Sequence, residues 1–240
     1  MTEQIPLGVG FYSRAEAARL LKVTPTRLNR WVRGYTYRLR QHGESHVKRQ
    51  KKPIVHVFLP TIDSVVALSF VELKELRVIK AFTDRGLPLQ RVRVAAERAI
   101  ELFDTVHPFA SRRVFTDGEL VFAEFGEIRK PDLPDLIELT KGKHLQIHSG
   151  VLLQGYLDEI SFSQDTLLAD RWWPLSKDFP VVLDPKIAFG APVIEGTATR
   201  TEVVAGTARA MSADAAANLY QLKKRQVEAA VQFEDLLAAA

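Results

Sequence analysis

The sequence predicts an α+β protein: a basic, helical amino-terminal part, a strand-containing middle and a helical carboxyl-terminal end. Three observations carry this. Segments with apolar residues at helical spacing open and close the chain. Between them lie alternating apolar and polar stretches, with turn signals such as Asp117-Gly118. Charge is also uneven along the 240 residues, with 12 basic against 3 acidic residues from Met1 to Val55 and 21 against 26 beyond. A basic head on a mildly acidic body commonly faces a polyanion.

The head reads as follows. Ser13 precedes RAEAARLLK with Glu16 three residues on, the pattern of a capping box, and Ala15, Ala18, Leu20 and Leu21 recur at helical spacing. Thr24 is placed to cap a second helix with Pro25 at its first position, and Leu28 and Trp31 or Val32 face inward. Only Lys22 and Val23 separate the two, the spacing of a helix-turn-helix. From Gly34 to Pro60 the chain reads as a wing, a β-hairpin or loop with a basic tip at Gly43 and Glu44. A short helix is then expected over Ile62 to Leu68 and a longer one over Phe70 to Thr83, stopped by Gly86. Another follows Pro88, carrying Leu89, Val92, Ala96, Ala99, Ile100 and Phe103 on one side.

The middle is expected to hold a hairpin turning at Asp117-Gly118, breaks at Pro131 and Pro134, a turn at Lys141-Gly142, and a helix over Val151 to Leu157. Two strands then surround a loop, with Ile160 and Phe162 alternating against polar neighbours. From Val181 a strand-rich entry leads to three short helices. The first spans Glu202 to Ala208 and is capped by Thr199 or Thr201. Ser212 caps the second, and the third runs on from Leu222 with Val227, Ala230, Val231 and Phe233 on its apolar side. The expected domains are residues 1–110, 111–180 and 181–240.

In a helix-turn-helix the first turns of the second helix enter the major groove, where arginine can pair with guanine and asparagine with adenine. The base-contact candidates are therefore Thr26, Arg27, Asn29 and Arg30. Arg33, Tyr35, Tyr37 and Arg38 lie just past that helix and suit the DNA backbone, while Lys48, Arg49, Lys51 and Lys52 suit phosphates or a narrow minor groove. A small reader needs two half-sites, so a homodimer is expected, with half-sites about 34 Å apart or a multiple of that. Trp31 is assigned to the core. Alternation points only one of Trp172 and Trp173 inward, leaving the other to an interface or a locally packed pair.

Cysteine is absent, which excludes disulfides, thiolate metal sites and cysteine nucleophiles. There is no phosphate loop, no Gly-x-Ser-x-Gly and no His-Glu-x-x-His. His144 and His148 lack a third ligand and are assigned to the surface. No catalytic residue, metal or cofactor is expected. The chain start does not read as a signal peptide, and no apolar run reaches the ~18 residues of a membrane helix. A cytoplasmic protein without a membrane partner is expected.

The head, GFYSRAEAARLLKVTPTRLNRWVRGYTYR followed by FVELKELRVIKAFTDRGLPLQRVRVAAE, resembles the winged helix-turn-helix of MerR-like regulators. The tail, DPKIAFGAPVIEGTATRTEVVAG through LYQLKKRQVEAAVQF, resembles a small helix-turn-helix-like family of unknown function, frequently encoded beside PIN-domain ribonucleases. In this order the two resemble a long VapB-type antitoxin of the mycobacterial kind. The resemblance implies a type II antitoxin that binds double-stranded DNA at its own promoter and neutralises a PIN-domain ribonuclease toxin. Arg200, Lys223, Lys224 and Arg225 are the expected toxin contacts, since a cation offered to an acidic metal site can block it. The long coiled coil and effector domain of MerR-like regulators are missing, so metal or drug sensing is not carried over. The alternative is a stand-alone transcriptional regulator responding to a ligand or protein partner.

Overall fold

Capping chemistry sets the first two helices. The computed structural model describes residues 9–39, 47–59, 61–62, 65–84, 86–110, 114–116, 121–124, 136–138, 159–164 and 168–239. In α1 (Arg14–Leu21) the Glu16 N–H donates to Ser13 Oγ and the Ser13 N–H to Glu16 Oε2, at 3.2 and 2.8 Å, completing the expected capping box. In α2 (Pro25–Val32) the Arg27 N–H donates to Thr24 Oγ1, and Leu28, Trp31 and Val32 are all buried.

The chain leaves α2 through Gly34, whose φ is +73°. A β-carbon there would lie 2.0 Å from the Lys51 carbonyl oxygen, so glycine alone allows the wing to fold back this closely. Strands β2 (Tyr35–Leu39) and β3 (Val47–Lys51) pair antiparallel; the tip with Gly43 and Glu44 lies outside the described residues. The Ile54 N–H donates to the Trp31 carbonyl at 2.8 Å, stitching the base of the wing to the end of α2.

The helix expected over Ile62 to Leu68 is instead a pair of strands, β4 (Thr61–Ile62) and β5 (Val65–Leu68), and β1 (Tyr12–Ser13) pairs along the other edge of β5. Ile62, Val65 and Val66 are β-branched and favour the pleat. The pairing with Tyr12 and Ser13 is non-local, so local periodicity misread the segment. Helix α3 (Phe70–Asp84) follows with a second capping box, in which Ser69 and Glu72 exchange bonds of 2.7 and 3.3 Å. Positions 72–79 are buried without a break, Glu72, Lys74, Glu75 and Arg77 included. Helix α4 (Leu89–Phe103) packs Val92, Ala96 and Ala99 inward as expected.

In the middle, β6 (Val114–Thr116), β7 (Val121–Glu124) and β8 (Leu136–Glu138) form an antiparallel sheet in that order. The strands of the expected hairpin are therefore paired; its turn at Asp117-Gly118, the prolines 131 and 134, the turn at 141–142 and the expected helix over 151–157 lie outside the described residues. Strands β9 (Ile160–Phe162) and β10 (Ala169–Trp172) pair antiparallel. Both tryptophans are covered. Trp172 joins the main core, and Trp173, on the opposite face, packs with Val182, Val193, Ile187 and Ala188. Alternation held, but both faces have neighbours, so the pair does not supply an exposed aromatic contact.

Strands β11 (Val181–Val182) and β12 (Val193–Ile194) precede α5 (Thr201–Ala210), α6 (Ala213–Tyr220) and α7 (Lys224–Ala238). Neither Thr199 nor Thr201 caps α5. Its cap is Arg200, without a side-chain bond, and Thr201 is buried in the first turn with its hydroxyl on Glu234 and the Pro192 carbonyl. Ser212 does cap α6, accepting from the Ala215 N–H at 3.0 Å. Head and tail meet where the Phe11 N–H donates to the Phe189 carbonyl and the Tyr12 hydroxyl to the Gly190 carbonyl, at 2.9 and 2.7 Å. One apolar cluster runs from Leu28 and Phe82 through to Val204 and Phe233.

Candidate nucleic-acid interface

Helix α2 and the wing form one basic surface. Thr26 and Arg30 are exposed on α2, and the Arg30 guanidinium lies 5.7 Å from the Tyr35 ring centroid, joining helix to wing. Tyr35 and Tyr37 lie on one face of β2, their ring centroids 6.0 Å apart. Across the ladder Tyr37 opposes Arg49, Tyr35 opposes Lys51, and Arg38 opposes Lys48. Arg33, Arg38, Lys48, Arg49 and Lys52 are exposed. Two like charges directly opposite destabilise a ladder, and the ion pairs among the described residues include none to Arg38 or Lys48.

Two of the base-contact candidates are engaged within the fold. Arg27 turns onto the end of α3, donating to Thr83 Oγ1 at 2.5 Å and Asp84 Oδ1 at 2.9 Å, with its guanidinium 5.0 Å from the buried Trp31 ring. Desolvation works against the Asp84 charge, but bonds from Lys80 and Arg27 outweigh it and hold that carboxyl below its usual pKa. Asn29 Oδ1 accepts from Arg14 at 2.7 Å. The carboxylate that anchors Arg27 stands 57 residues further along the chain, and no short-range sequence signal announces it.

The tail candidates are arranged differently. Arg200, at the start of α5, pairs with Glu202 at 2.9 Å, and Lys224 pairs with Asp214 at 3.0 Å. Arg225 donates to the Asp178 carbonyl, and the Lys223 N–H donates to Gln226 Oε1. Lys223, Lys224 and Arg225 therefore cluster at the N-terminus of α7, where the helix dipole disfavours cations.

Sequence reading passed over a row of charges inside α3. Glu72, Lys74, Glu75 and Arg77 are each at most 4% exposed. Glu75 holds His107 Nδ1 at 2.9 Å and accepts the Phe109 N–H, and Arg77 pairs with Glu159. Lys74 Nζ has no hydrogen-bond partner among the described residues and sits 4.3 Å from the Trp172 ring centroid; burial holds its pKa well below the lysine value. The available signal was that apolar residues occupy every face of this helix, not one stripe. His144 and His148 lie outside the described residues. Among those described, no group of three His, Cys, Asp or Glu is placed to hold a metal, and no helix is long and apolar enough to cross a membrane.

Comparison with known proteins agrees with this layout. Residues 10–96 match a family described as "Putative DNA-binding HTH domain", and residues 181–233 match "Protein of unknown function (DUF433)". The chain is 32% identical over 213 residues to "Putative antitoxin VapB45" of Mycobacterium tuberculosis (strain ATCC 25618 / H37Rv), covering 86% of each. The crystal structure of Rv2018 from Mycobacterium tuberculosis matches at a TM-score of 0.64 and 27% identity, over 95% of this chain and 99% of that one.

Proposed function

The chain belongs to the VapB antitoxin family, and from that premise we propose that it is the antitoxin of a type II pair, neutralising a PIN-domain ribonuclease and repressing its own promoter. The observation that carries the DNA half is the wing, where Arg38 faces Lys48 beside an arginine-bearing helix; a phosphate backbone relieves that repulsion on binding. In this reading Thr26, Arg27, Asn29 and Arg30 face base edges, and Asp84 holds Arg27 until a base or phosphate replaces it. Arg33, Tyr35, Tyr37, Arg38, Lys48, Arg49, Lys51 and Lys52 take the backbone. Two copies grip two half-sites.

The division of labour follows the expected domains: residues 1–110 for DNA, 111–180 as connector and 181–240 for the toxin, which meets Arg200, Lys223, Lys224 and Arg225. Work of this kind is cytoplasmic and assigns no catalytic residue. The test is to mix the chain with a PIN-domain ribonuclease from the same genome and follow RNA cleavage. Cleavage is expected to stop at stoichiometric antitoxin and to return with Lys223→Ala/Lys224→Ala/Arg225→Ala. Undiminished cleavage at excess antitoxin rejects the toxin half while leaving DNA binding to be judged on its own.

A further inference from the structure

The outward face of α2 is made of two kinds of side chain. Helical spacing sets Leu28, Trp31 and Val32 in the core and turns Thr26 and Arg30 out to solvent. Arg27 and Asn29 stand half-buried on the two flanks, each tethered to a different neighbouring helix. On one flank Asp84 of α3 takes Arg27. On the other Arg14, the first residue of α1, donates from Nη1 to Asn29 Oδ1 at 2.7 Å. A cation at that end of α1 is disfavoured by the helix dipole, and the bond to Asn29 is what it gains there.

This bond fixes which end of the Asn29 amide leads. A guanidinium carries donors and no acceptor, so the atom that meets it is the carbonyl oxygen. Nδ2 is on the opposite branch of the amide, makes no hydrogen bond to a described residue and is open to solvent. A free asparagine turns easily about its last torsion and can lead with either end. Asn29 can turn only by giving up a charge-assisted bond.

We propose that Arg14 is a positioning residue for base recognition: it holds Asn29 with the Nδ2–H donors leading, so that Asn29 selects a base edge offering an acceptor, the N7 of a purine. An edge that offers only a donor in the major groove, the N4–H of cytosine, meets donor against donor and is rejected. Arg14 touches no base and acts through Asn29. The inference rests on the reading of Asn29 as a base contact.

The experiment is selection by the full chain from a pool of randomised duplex DNA, sequenced to give the base preference at each position. Asn29→Ala is expected to erase a preference for purine of roughly tenfold at one position. Arg14→Ala should erase most of the same preference at the same position, and the double variant should lose no more than Asn29→Ala alone. Asn29→Asp keeps the shape and the bond to Arg14 but leads with an acceptor, so it should switch that position to cytosine; it remains informative if Arg14→Ala does not fold. The inference alone is overturned if Asn29→Ala relaxes a position that Arg14→Ala leaves intact, if Arg14→Ala weakens all sequences alike as loss of a phosphate contact does, or if Asn29→Asp retains the purine. If the wild-type chain enriches no sequence, or Asn29→Ala changes no preference, the base-contact reading falls and the inference with it.

Discussion

Head and tail both carry exposed cations, yet they dispose of them differently. In the tail Arg200, Arg209 and Lys224 each lie within 3.0 Å of a carboxylate, from Glu202, Asp235 and Asp214. On the wing Arg38 stands across from Lys48 with neither in an ion pair among the described residues. Charge answered locally needs no polyanion to be stable; charge set against like charge gains from one. The same split recurs in the backbone. Gly34 is pressed against Lys51 to place the wing, whereas Gly196 in the tail, also at positive φ, has nothing within 4 Å of where a β-carbon would stand.

That last pair offers the largest effect. Gly34→Ala combines a left-handed backbone with a clash against Lys51 and is expected to destabilise the chain by about 3 kcal/mol or more. Gly196→Ala carries the conformational penalty alone, about 1–2 kcal/mol. Equal losses in urea melts would remove the claim that the wing is clamped to the reader helix while the tail turn is open.

Next in size is Lys74, a buried amine without a hydrogen-bond partner among the described residues, unlike the paired cations of the tail. Lys74→Met is expected to raise stability by about 1–3 kcal/mol, since an apolar side chain of similar length removes the desolvation penalty. Burial lowers the folded-state pKa, so the unfolded chain binds more protons. Wild-type stability should therefore gain from this group as pH climbs from the lowered value toward the ordinary lysine value of about 10.4, and the variant should lack that gain.

His107 gives a smaller effect of opposite sign. Desolvation alone would lower its pKa, but the bond and charge of Glu75 outweigh it and the net shift is upward. Glu75, raised chiefly by its own burial, has the same sign. Their stabilisation is complete below the unfolded values and is lost as pH rises through the raised folded ones. The stability advantage of wild type over His107→Gln should therefore shrink as pH rises through the range just above the ordinary imidazole value of about 6.5; an advantage independent of pH would show that the pair does not titrate as a unit. The smallest effect is at Arg209, 50% exposed on its pair with Asp235, where Arg209→Ala should cost under about 0.5 kcal/mol. A larger loss would mean that tail ion pairs are structural.

What the sequence revealed follows the range of the interactions. Ser13, Thr24, Pro25 and Ser212 act within one helical turn, and their helices were legible from them. The wing was legible from its flanking β-forming residues. The segment from Ile62 to Leu68 was misread because Ala67 and Leu68 at its end pair with Ser13 and Tyr12, more than fifty residues earlier in the chain. Arg27 was read as an outward arginine because Asp84, which holds it, is equally distant. Thr201 looked like a cap, but its hydroxyl bonds to Glu234 on another helix. The buried charges of α3 depend on neighbours from several elements, which no local pattern encodes.

The central claim is that the wing's cations serve a polyanion and the tail's do not, and the salt dependence of binding to duplex DNA from the chain's own upstream region tests it most directly. Each phosphate neutralised contributes about −0.9 to the slope of log K against log salt. Replacing Arg38, Lys48 and Arg49 with glutamine should flatten the slope by roughly 2 to 3 and weaken affinity at low salt, whereas replacing Lys223, Lys224 and Arg225 should leave both unchanged. Equal flattening by the two sets, or no duplex binding in dilute buffer, would contradict the account.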